Sequence, residues 1–193
     1  MALRVCAIRE TFEEAGLLLA RRRGEGRLLA AAELDSIQRE LLLQLGRPPD
    51  FVELVVEGGL DLATDLLVPF AHWITPEIRP RRYDTYFYLA PAPLEQEARH
   101  DGHEAVASIW IAPGQAAEDG AAQRVKMIFA TRFNLQKLAR SATSAAAFAA
   151  ARAAKIVTVL PEYRETPQGL MWCIPIEAGY GIAETPVQGE TVA

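Results

Sequence analysis

Three glutamates near the start of the chain have the spacing of metal ligands. Glu10, Glu13 and Glu14 are three and four residues apart, so their carboxylates share one face of a helix. Such carboxylates repel one another unless solvent or a cation lies between them. Oxygen ligands of this kind suit a hard divalent cation such as Mg²⁺, which often bridges to substrate phosphates. Arg9 can hold one of the glutamates in position, and Gly16 permits the turn that ends a helix. Spacing alone leaves two interpretations open, a metal site and an ordinary solvated helix face.

The stretch around these glutamates resembles the second half of the Nudix box. It reads Arg9-Glu10-Thr11-Phe12-Glu13-Glu14-Ala15-Gly16-Leu17. The family pattern is G-x5-E-x7-R-E-U-x-E-E-x-G-U, where U is an aliphatic residue. Within residues 9–17 only Thr11 departs from it, at a position where threonine is tolerated. Counted back from Arg9, the first glutamate of the box falls at Met1 and its leading glycine before the chain begins. The resemblance therefore implies a Nudix domain that lacks its N-terminal strands.

The resemblance also implies a chemistry and a set of roles. Nudix enzymes hydrolyse a nucleoside diphosphate linked to another moiety, with Mg²⁺ or Mn²⁺ as cofactor. Glu10, Glu13 and Glu14 would be the metal ligands, Glu10 a further ligand or base, and Arg9 the group that orients the glutamates. The alternative is a truncated, catalytically impaired Nudix-like binding or remnant protein.

A second segment resembles one subgroup of this family. Trp73-Ile74-Thr75-Pro76 is followed after a short gap by Arg82-Tyr83-Asp84-Thr85. This pair of phrases is similar to one in the peroxisomal-type acyl-CoA diphosphatases and their bacterial relatives. The subgroup implies CoA or acyl-CoA as substrate, cut to an acyl-phosphopantetheine and adenosine 3′,5′-bisphosphate.

Further charged residues are candidates for the same site. Arg79, Arg81 and Arg82 form a cationic cluster that suits phosphate recognition, although a solvated loop would look the same. The resemblance places an additional carboxylate near the metals, and Glu104 is the candidate. A glutamate at the edge of a strand that simply meets water is the other interpretation. His72 is more typical of a hydrogen-bonded structural histidine than of a catalytic one.

The composition is that of an ordinary globular protein, with 193 residues, half of them hydrophobic. The net charge of −5 argues against general binding to nucleic acid or to an anionic membrane. Two cysteines are too few for a disulfide framework, and the sequence shows neither a signal peptide nor a spanning segment. We therefore expect a cytoplasmic protein with one domain over residues 1–183 and a flexible tail over 184–193.

Periodicity and turn signals predict the elements that carry these residues. Helices are expected at 3–20, 30–45, 51–57, 114–120, 125–140 and 145–155, with a further turn at 60–63. Strands are expected at 65–76, 80–90, 104–112, 156–161 and 169–175, the last two as a C-terminal hairpin. With the resemblance, this order implies an α+β fold, a Nudix-type α/β/α sandwich with a mixed sheet and a helical insertion after the catalytic helix. Loss of early strands would expose a sheet edge, so homodimerisation through that edge is a further hypothesis.

Overall fold

A computed structural model describes residues 1–100, 102, 107–167 and 169–187. The chain divides into two units, the first built from Met1–Leu67 and Ala90–Ile109 and the second from Val68–Leu89 and Trp110–Ala193. No helix in the described part of the chain is long and apolar enough to cross a membrane. The single domain expected over residues 1–183 stays a prediction.

The first unit combines helices with a short antiparallel sheet. Its elements are α1 (Ala2–Ala15), β1 (Ala20–Arg22), α2 (Ala31–Leu45), α3 (Phe51–Glu57), β2 (Leu60–Leu62) and a 3₁₀ turn (Thr64–Leu66). In the sheet, Arg21 of β1 lies opposite Asp61 of β2. The buried apolar side chains of this unit include Ile8, Leu18, Leu29, Leu34, Ile37, Leu41, Leu54 and Leu60.

Local hydrogen bonds explain where its helices begin. At the start of α3, the Asp50 carboxylate accepts from the backbone N–H of Glu53 at 2.8 Å, and the Glu53 carboxylate accepts from that of Asp50 at 2.9 Å. This reciprocal capping box satisfies two N–H groups that the helix itself cannot. At the start of α2, Glu33 accepts from the backbone N–H of Ala30 at 3.0 Å.

The second unit contains a mixed sheet and an antiparallel sheet. In the mixed sheet, β3 (Val68–Ile74) pairs antiparallel with β4 (Asp84–Leu89) and parallel with β5 (Thr158–Val159). In the other, β7 (Gly169–Cys173) lies between β6 (Glu162–Thr166) and β8 (Glu184–Pro186). Its helices are α4 (Pro113–Ala121), α5 (Phe129–Leu138) and α6 (Ser144–Ala153), and α6 packs against β3.

Aromatic rings and a polar group fill the core of the second unit. The Trp73 ring packs edge-on against the rings of Phe129 and Tyr180, at centroid distances of 5.7 and 5.3 Å. Its indole N–H donates to the Tyr180 hydroxyl at 2.8 Å, and that hydroxyl donates to the Asn134 side-chain oxygen at 2.7 Å. Buried Trp and Tyr side chains require such partners.

Most predicted elements are confirmed, and the differences have local causes. The helix expected over 3–20 ends at Ala15, because Gly16 takes a left-handed conformation and the chain then enters β1. The turn expected at 60–63 is wrong, since Leu60–Leu62 form β2. The C-terminal hairpin expected between the strands at 156–161 and 169–175 is also wrong. Strand β5 pairs with β3, whereas β7 pairs with β6 and β8.

The strand expected over 104–112 and the tail expected over 184–193 each lie partly outside the described residues. Residues 107–112, the second half of the strand expected over 104–112, form no strand. The first half of that strand lies largely outside the described residues. Glu184–Pro186, at the start of the expected tail, pair with β7 as β8. Residues 188–193 of the tail also lie outside the described part of the chain.

Candidate functional site

The candidate metal-binding glutamates all lie in the second half of α1. The Arg9 guanidinium bridges two of them, donating from Nη1 to Glu13 Oε2 at 2.7 Å and from Nη2 to Glu10 Oε1. Hydrogen bonding with Cys6 and the negative charges of Glu10 and Glu13 raise the pKa of Arg9. The three side chains in this bridge are each between 40% and 46% exposed, so solvent and solutes reach them. Arg9 therefore pairs with two of the carboxylates on an accessible helix face.

Contacts at both ends hold α1 in place within the first unit. Near its start, Arg4 donates to the backbone oxygen of Thr64 at 2.8 Å, and Ile8 is completely buried. At its end, the N–H of Gly16 donates to the carbonyl of Phe12 at 2.9 Å, with Gly16 at φ 69°. Glycine adopts this conformation without the clash that a Cβ would cause. The helix thus stops one residue after the turn that carries Glu13 and Glu14.

The donor set of this face fits a hard divalent cation by its chemistry. Glu10, Glu13 and Glu14 offer only carboxylate oxygens, and they lie within four residues of one another on one helix. Among residues 1–100, 102, 107–167 and 169–187, no group of three or more acidic, histidine or cysteine side chains converges tightly enough to hold a metal ion. Two of the carboxylates instead face Arg9. Helix α1 therefore carries three carboxylates of this type, and in the described part of the chain they do not converge on a single point.

The arginine cluster lies in the second unit, on the loop between β3 and β4. Backbone hydrogen bonds close this loop, with the Thr75 N–H donating to Tyr83 O at 2.9 Å and the Arg79 N–H donating to Pro76 O at 3.1 Å. Arg82 donates from Nε to the carbonyl of Thr75 at 3.0 Å, so part of its guanidinium stabilises the loop itself. Arg81 and Arg82 are exposed and Arg79 is half-buried. Glu104, the additional acidic candidate, lies outside the described residues.

His72 is a structural residue of the mixed sheet, as predicted. Its Nδ1 lies 2.8 Å from the hydroxyl of Thr158 on β5, and its Nε2 contacts the Asp84 carboxylate on β4. The ring is buried and stacks on Tyr86 at a centroid distance of 3.9 Å. Both ring nitrogens therefore have partners within the sheet.

Arg99, on the segment that follows β4, was not among the sequence candidates, yet it lies against the end of α1. The backbone N–H of Arg99 donates to the carbonyl of Ala15 at 2.8 Å. A cavity of about 520 Å³ is lined there by Ala98, Arg99, His100, Ala107 and Ser108. A strand was expected over 104–112, which includes Ala107 and Ser108, but no site residue was proposed at 98–100. The adjacent pair Arg99-His100 is the one sequence feature that could have drawn attention to it.

Comparisons with known proteins agree on a family. A family model described as the NUDT19 Nudix domain matches residues 1–138. The acyl-coenzyme A diphosphatase NUDT19 of Gallus gallus is 37% identical over 145 residues, which are 65% of this chain and 37% of that protein. The human protein of the same name is 30% identical over 155 residues, 74% of this chain and 40% of that protein. The Xenopus laevis protein is 30% identical over 132 residues, 62% of this chain and 34% of that protein.

A solved structure gives the same result at the level of the fold. The crystal structure of a NUDIX hydrolase from Alicyclobacillus acidocaldarius superposes with a TM-score of 0.59 and 26% sequence identity. The match covers 77% of this chain and 65% of that one. The chain spans between a third and two fifths of the length of the curated relatives that it matches.

Proposed function

The chain belongs to the NUDT19 Nudix domain family and has its α+β fold with a mixed sheet, and we propose that it hydrolyses the diphosphate linkage of CoA or acyl-CoA. Water adds across the P–O–P bridge of the substrate. One new P–O bond forms, the bridging P–O bond breaks, and each side leaves with a terminal phosphate. The products are a phosphopantetheine, acylated or not, and adenosine 3′,5′-bisphosphate.

The observation that carries this proposal is the arrangement of the charged side chains on the glutamate face of α1. Its four charged residues stand at the matching positions of the Nudix pattern: Arg9, Glu10, Glu13 and Glu14. The helix ends at Gly16, and Arg9 bridges Glu10 and Glu13. These carboxylates are accessible enough for a substrate diphosphate to approach them.

The roles of the residues follow from their chemistry. Glu10, Glu13 and Glu14 are the proposed ligands of Mg²⁺ or Mn²⁺, which would neutralise the diphosphate and activate water when bound. Arg9 keeps Glu10 and Glu13 extended on the accessible face and limits their mutual repulsion. Glu10 is the candidate to accept the proton of the attacking water, with Glu104 as an additional acid. Each carboxylate that exchanges Arg9 for a cation must break an exposed ion pair, and such pairs are weak.

The arginine loop is the proposed contact for substrate phosphate. Arg81 offers an exposed guanidinium, and Arg79 and Arg82 add charge on the same short loop. A guanidinium donates two parallel hydrogen bonds to a phosphate, which lysine cannot do. The replacement Arg81→Lys should therefore raise KM for CoA although the charge is retained.

The experiment that tests this function compares substrates and two matched variants. The purified chain is incubated with CoA, an acyl-CoA, ADP-ribose and a dinucleotide, with Mg²⁺ or Mn²⁺, and the products are identified by mass spectrometry. Glu14→Gln should lower kcat/KM at least about a hundredfold, since loss of a partner outside the ligand shell alone costs 10- to 100-fold in metal sites. Glu40→Gln, on the exposed face of α2, is the control and should leave the rate unchanged.

The outcomes separate this proposal from its rival, a Nudix-like protein that binds nucleotides without cleaving them. Binding of CoA without any product would favour the rival. Turnover that survives Glu14→Gln would remove the assignment of this helix face. The homodimer is a separate proposal, and light scattering that gives the mass of a monomer would contradict it.

A further inference from the structure

One face of the mixed sheet in the second unit carries a pair of stacked rings. The opposite face packs on the core of that unit, through Ala71 and Trp73 of β3 and Phe87 of β4. Side chains alternate between the two faces of a strand, so His72 and Tyr86 lie on the face away from this core. The two residues are direct partners in the register of β3 and β4. This face therefore presents one ring from each strand, side by side.

Hydrogen bonds on both sides of the imidazole hold the His72 ring in place. Its Nδ1 lies 2.8 Å from the Thr158 hydroxyl, and its Nε2 contacts the Asp84 carboxylate. The ring cannot turn without losing both partners. The Tyr86 ring stacks on it, with centroids 3.9 Å apart and planes inclined by 14°, a separation at which the rings are in van der Waals contact. His72 therefore supports the Tyr86 ring from one side and fixes its orientation.

The other side of the Tyr86 ring is open to a ligand. Because His72 lies on β3, the free side of the ring is turned away from β3, and β4 is the outer strand of this sheet in the described part of the chain. The Tyr88 ring is 6.4 Å away, close to the spacing of alternate residues along a strand, so it lies beside Tyr86 and not over it. Tyr86 is 38% exposed, and among the described residues no third ring contacts it. A flat ring that is supported on one side and open on the other suits a planar ligand.

The loop that precedes β4 adds charge complementary to a phosphate. Its arginines, Arg79, Arg81 and Arg82, belong to the same unit as Tyr86, and Arg82 lies two residues before the strand begins. Arg82 and Tyr86 are four residues apart, about 14 Å along an extended chain. An arginine side chain covers part of this distance, and the ribose of a nucleotide covers the rest. An exposed aromatic ring next to guanidinium groups is the combination with which proteins bind the base and the phosphate of a nucleotide.

We propose that Tyr86 stacks on the adenine of a CoA-type substrate and is a specificity-determining residue, with His72 as the residue that positions its ring. The inference rests on the proposed function for the identity of the substrate. The stack contributes affinity for the nucleotide half of CoA and none for the phosphopantetheine half. It needs no hydrogen bond to the edge of the base, because every base has a flat face that an aromatic ring can cover.

Binding of ligands with and without a base tests the proposal without turnover. Isothermal titration measures the affinity of the full chain for adenosine 3′,5′-bisphosphate and for inorganic pyrophosphate. Loss of one base stack weakens binding roughly 5- to 150-fold. Tyr86→Leu should therefore weaken binding of the bisphosphate at least about fivefold and leave the affinity for pyrophosphate unchanged. Tyr86→Phe keeps the ring and should bind like the wild type. The control is Tyr83→Leu, at an exposed ring before the same strand, which should change neither affinity.

A pair of variants at Thr158 tests the positioning role of His72. Thr158→Val removes the hydroxyl that holds Nδ1 and should weaken binding of the bisphosphate, by less than Tyr86→Leu does. Thr158→Ser retains a hydroxyl and should restore the affinity. Bisphosphate binding that Tyr86→Leu leaves unchanged would overturn the proposal, as would an equal loss in Tyr86→Phe, since the hydroxyl and not the ring would then be responsible. Affinity for pyrophosphate that falls in parallel in Tyr86→Leu would also overturn it, because the loss would not concern the base.

Kinetics separate the failure of this proposal from the failure of the proposed function. A stack that is present in both the bound substrate and the transition state should raise KM for CoA when it is lost and leave kcat unchanged. If the chain hydrolyses CoA and Tyr86→Leu has the same kcat and KM, the base stack is wrong and the hydrolase stands. If the chain cleaves no CoA but binds the bisphosphate in a manner that depends on the ring of Tyr86, the hydrolase is wrong and the base stack stands.

Discussion

Gly16 ends α1, and the backbone of Arg99 contacts the end of the helix there. Replacing Gly16 by alanine therefore perturbs both the helix end and this contact. Gly16 has φ 69° and ψ 8°, and this left-handed conformation costs a residue with a Cβ roughly 1–2 kcal/mol. The added Cβ would lie 3.4 Å from the Arg99 carbonyl oxygen, an ordinary contact, so backbone strain is the main cost. We expect Gly16→Ala to lower the free energy of unfolding by about 1–2 kcal/mol. For a chain of this length that corresponds to a fall in Tm of about 2–8 °C.

The end of α2 provides a matched control. Gly46 has φ 69° and ψ 7°, and its N–H donates to Leu42 at 2.9 Å, the same length as the bond from Gly16 to Phe12. A Cβ on Gly46 would meet no atom within 4 Å. Gly46→Ala should therefore cost the same free energy of unfolding through strain alone.

Urea denaturation and a rate measurement on both variants give the comparison. The two losses of stability should be equal within the error of the measurement, since both glycines have the same left-handed conformation. Only Gly16→Ala should also lower kcat/KM for CoA, because it moves the end of the helix that carries the glutamates. An unchanged stability of Gly16→Ala, or an equal loss of activity in both variants, would refute this reasoning.

Four further predictions concern stability within each of the two units. Tyr180→Phe should cost about 1 kcal/mol through its lost hydrogen bonds, while Tyr83→Phe, at an exposed ring, should cost nothing measurable. Burial raises the pKa of Tyr180 to about 12, so the folded state keeps a proton that the unfolded state loses near pH 10. The free energy of unfolding should therefore fall between about pH 10 and 12 in the wild type, and it should fall less in Tyr180→Phe. Hydrogen bonds from Arg27 and from a backbone N–H lower the pKa of Glu33 from 4.5 to about 2. An NMR titration of the Glu33 carboxylate should give that midpoint, and Arg27→Gln should raise the midpoint. The stability that Glu33 contributes should be lost as the pH falls from about 4.5 toward 2. Leu54→Ala, at a side chain only 1% exposed, should lower the free energy of unfolding by about 2–5 kcal/mol in urea denaturation.

The parts of the fold that the sequence predicted best are those with their own local signals. Helix α3 was predicted with its observed bounds from its amphipathic pattern, and in the structure Asp50 and Glu53 form a capping box at its start. Helix α6 begins where Thr143 accepts a hydrogen bond from the Ala146 N–H at 3.1 Å. In both cases the decisive contacts join residues three positions apart, so they can be recognised without the tertiary structure.

The errors arose where partners distant in the chain decide the structure. The short strand β5 has only two residues, and its pairing with β3 joins positions more than eighty residues apart. No local signal distinguishes that partner from β7. The end of α1 was placed too late for a related reason, since leucine and alanine at positions 17–20 suit a helix, and the glycine at 16 decided otherwise.

The candidate site shows the same division. Arg9 and the glutamates on α1 were predicted from spacing and resemblance, because one helix positions them all. The hydrogen bonds from Gln96 to backbone groups of Leu18 and Leu29 were not predicted, since these partners are more than sixty residues away along the chain. A polar side chain in an aperiodic segment gives no sign in the sequence of the carbonyls that it will meet.

The most direct test of the proposed hydrolase is the fate of CoA in water enriched in ¹⁸O. The purified chain is incubated with CoA and Mg²⁺, and the products are analysed by mass spectrometry. We expect equal amounts of phosphopantetheine and adenosine 3′,5′-bisphosphate, with one ¹⁸O in one of the two products, and formation that depends on Glu14. The absence of both products, or the same rate with Glu14→Gln, would contradict the assignment of catalysis to the glutamate face of α1.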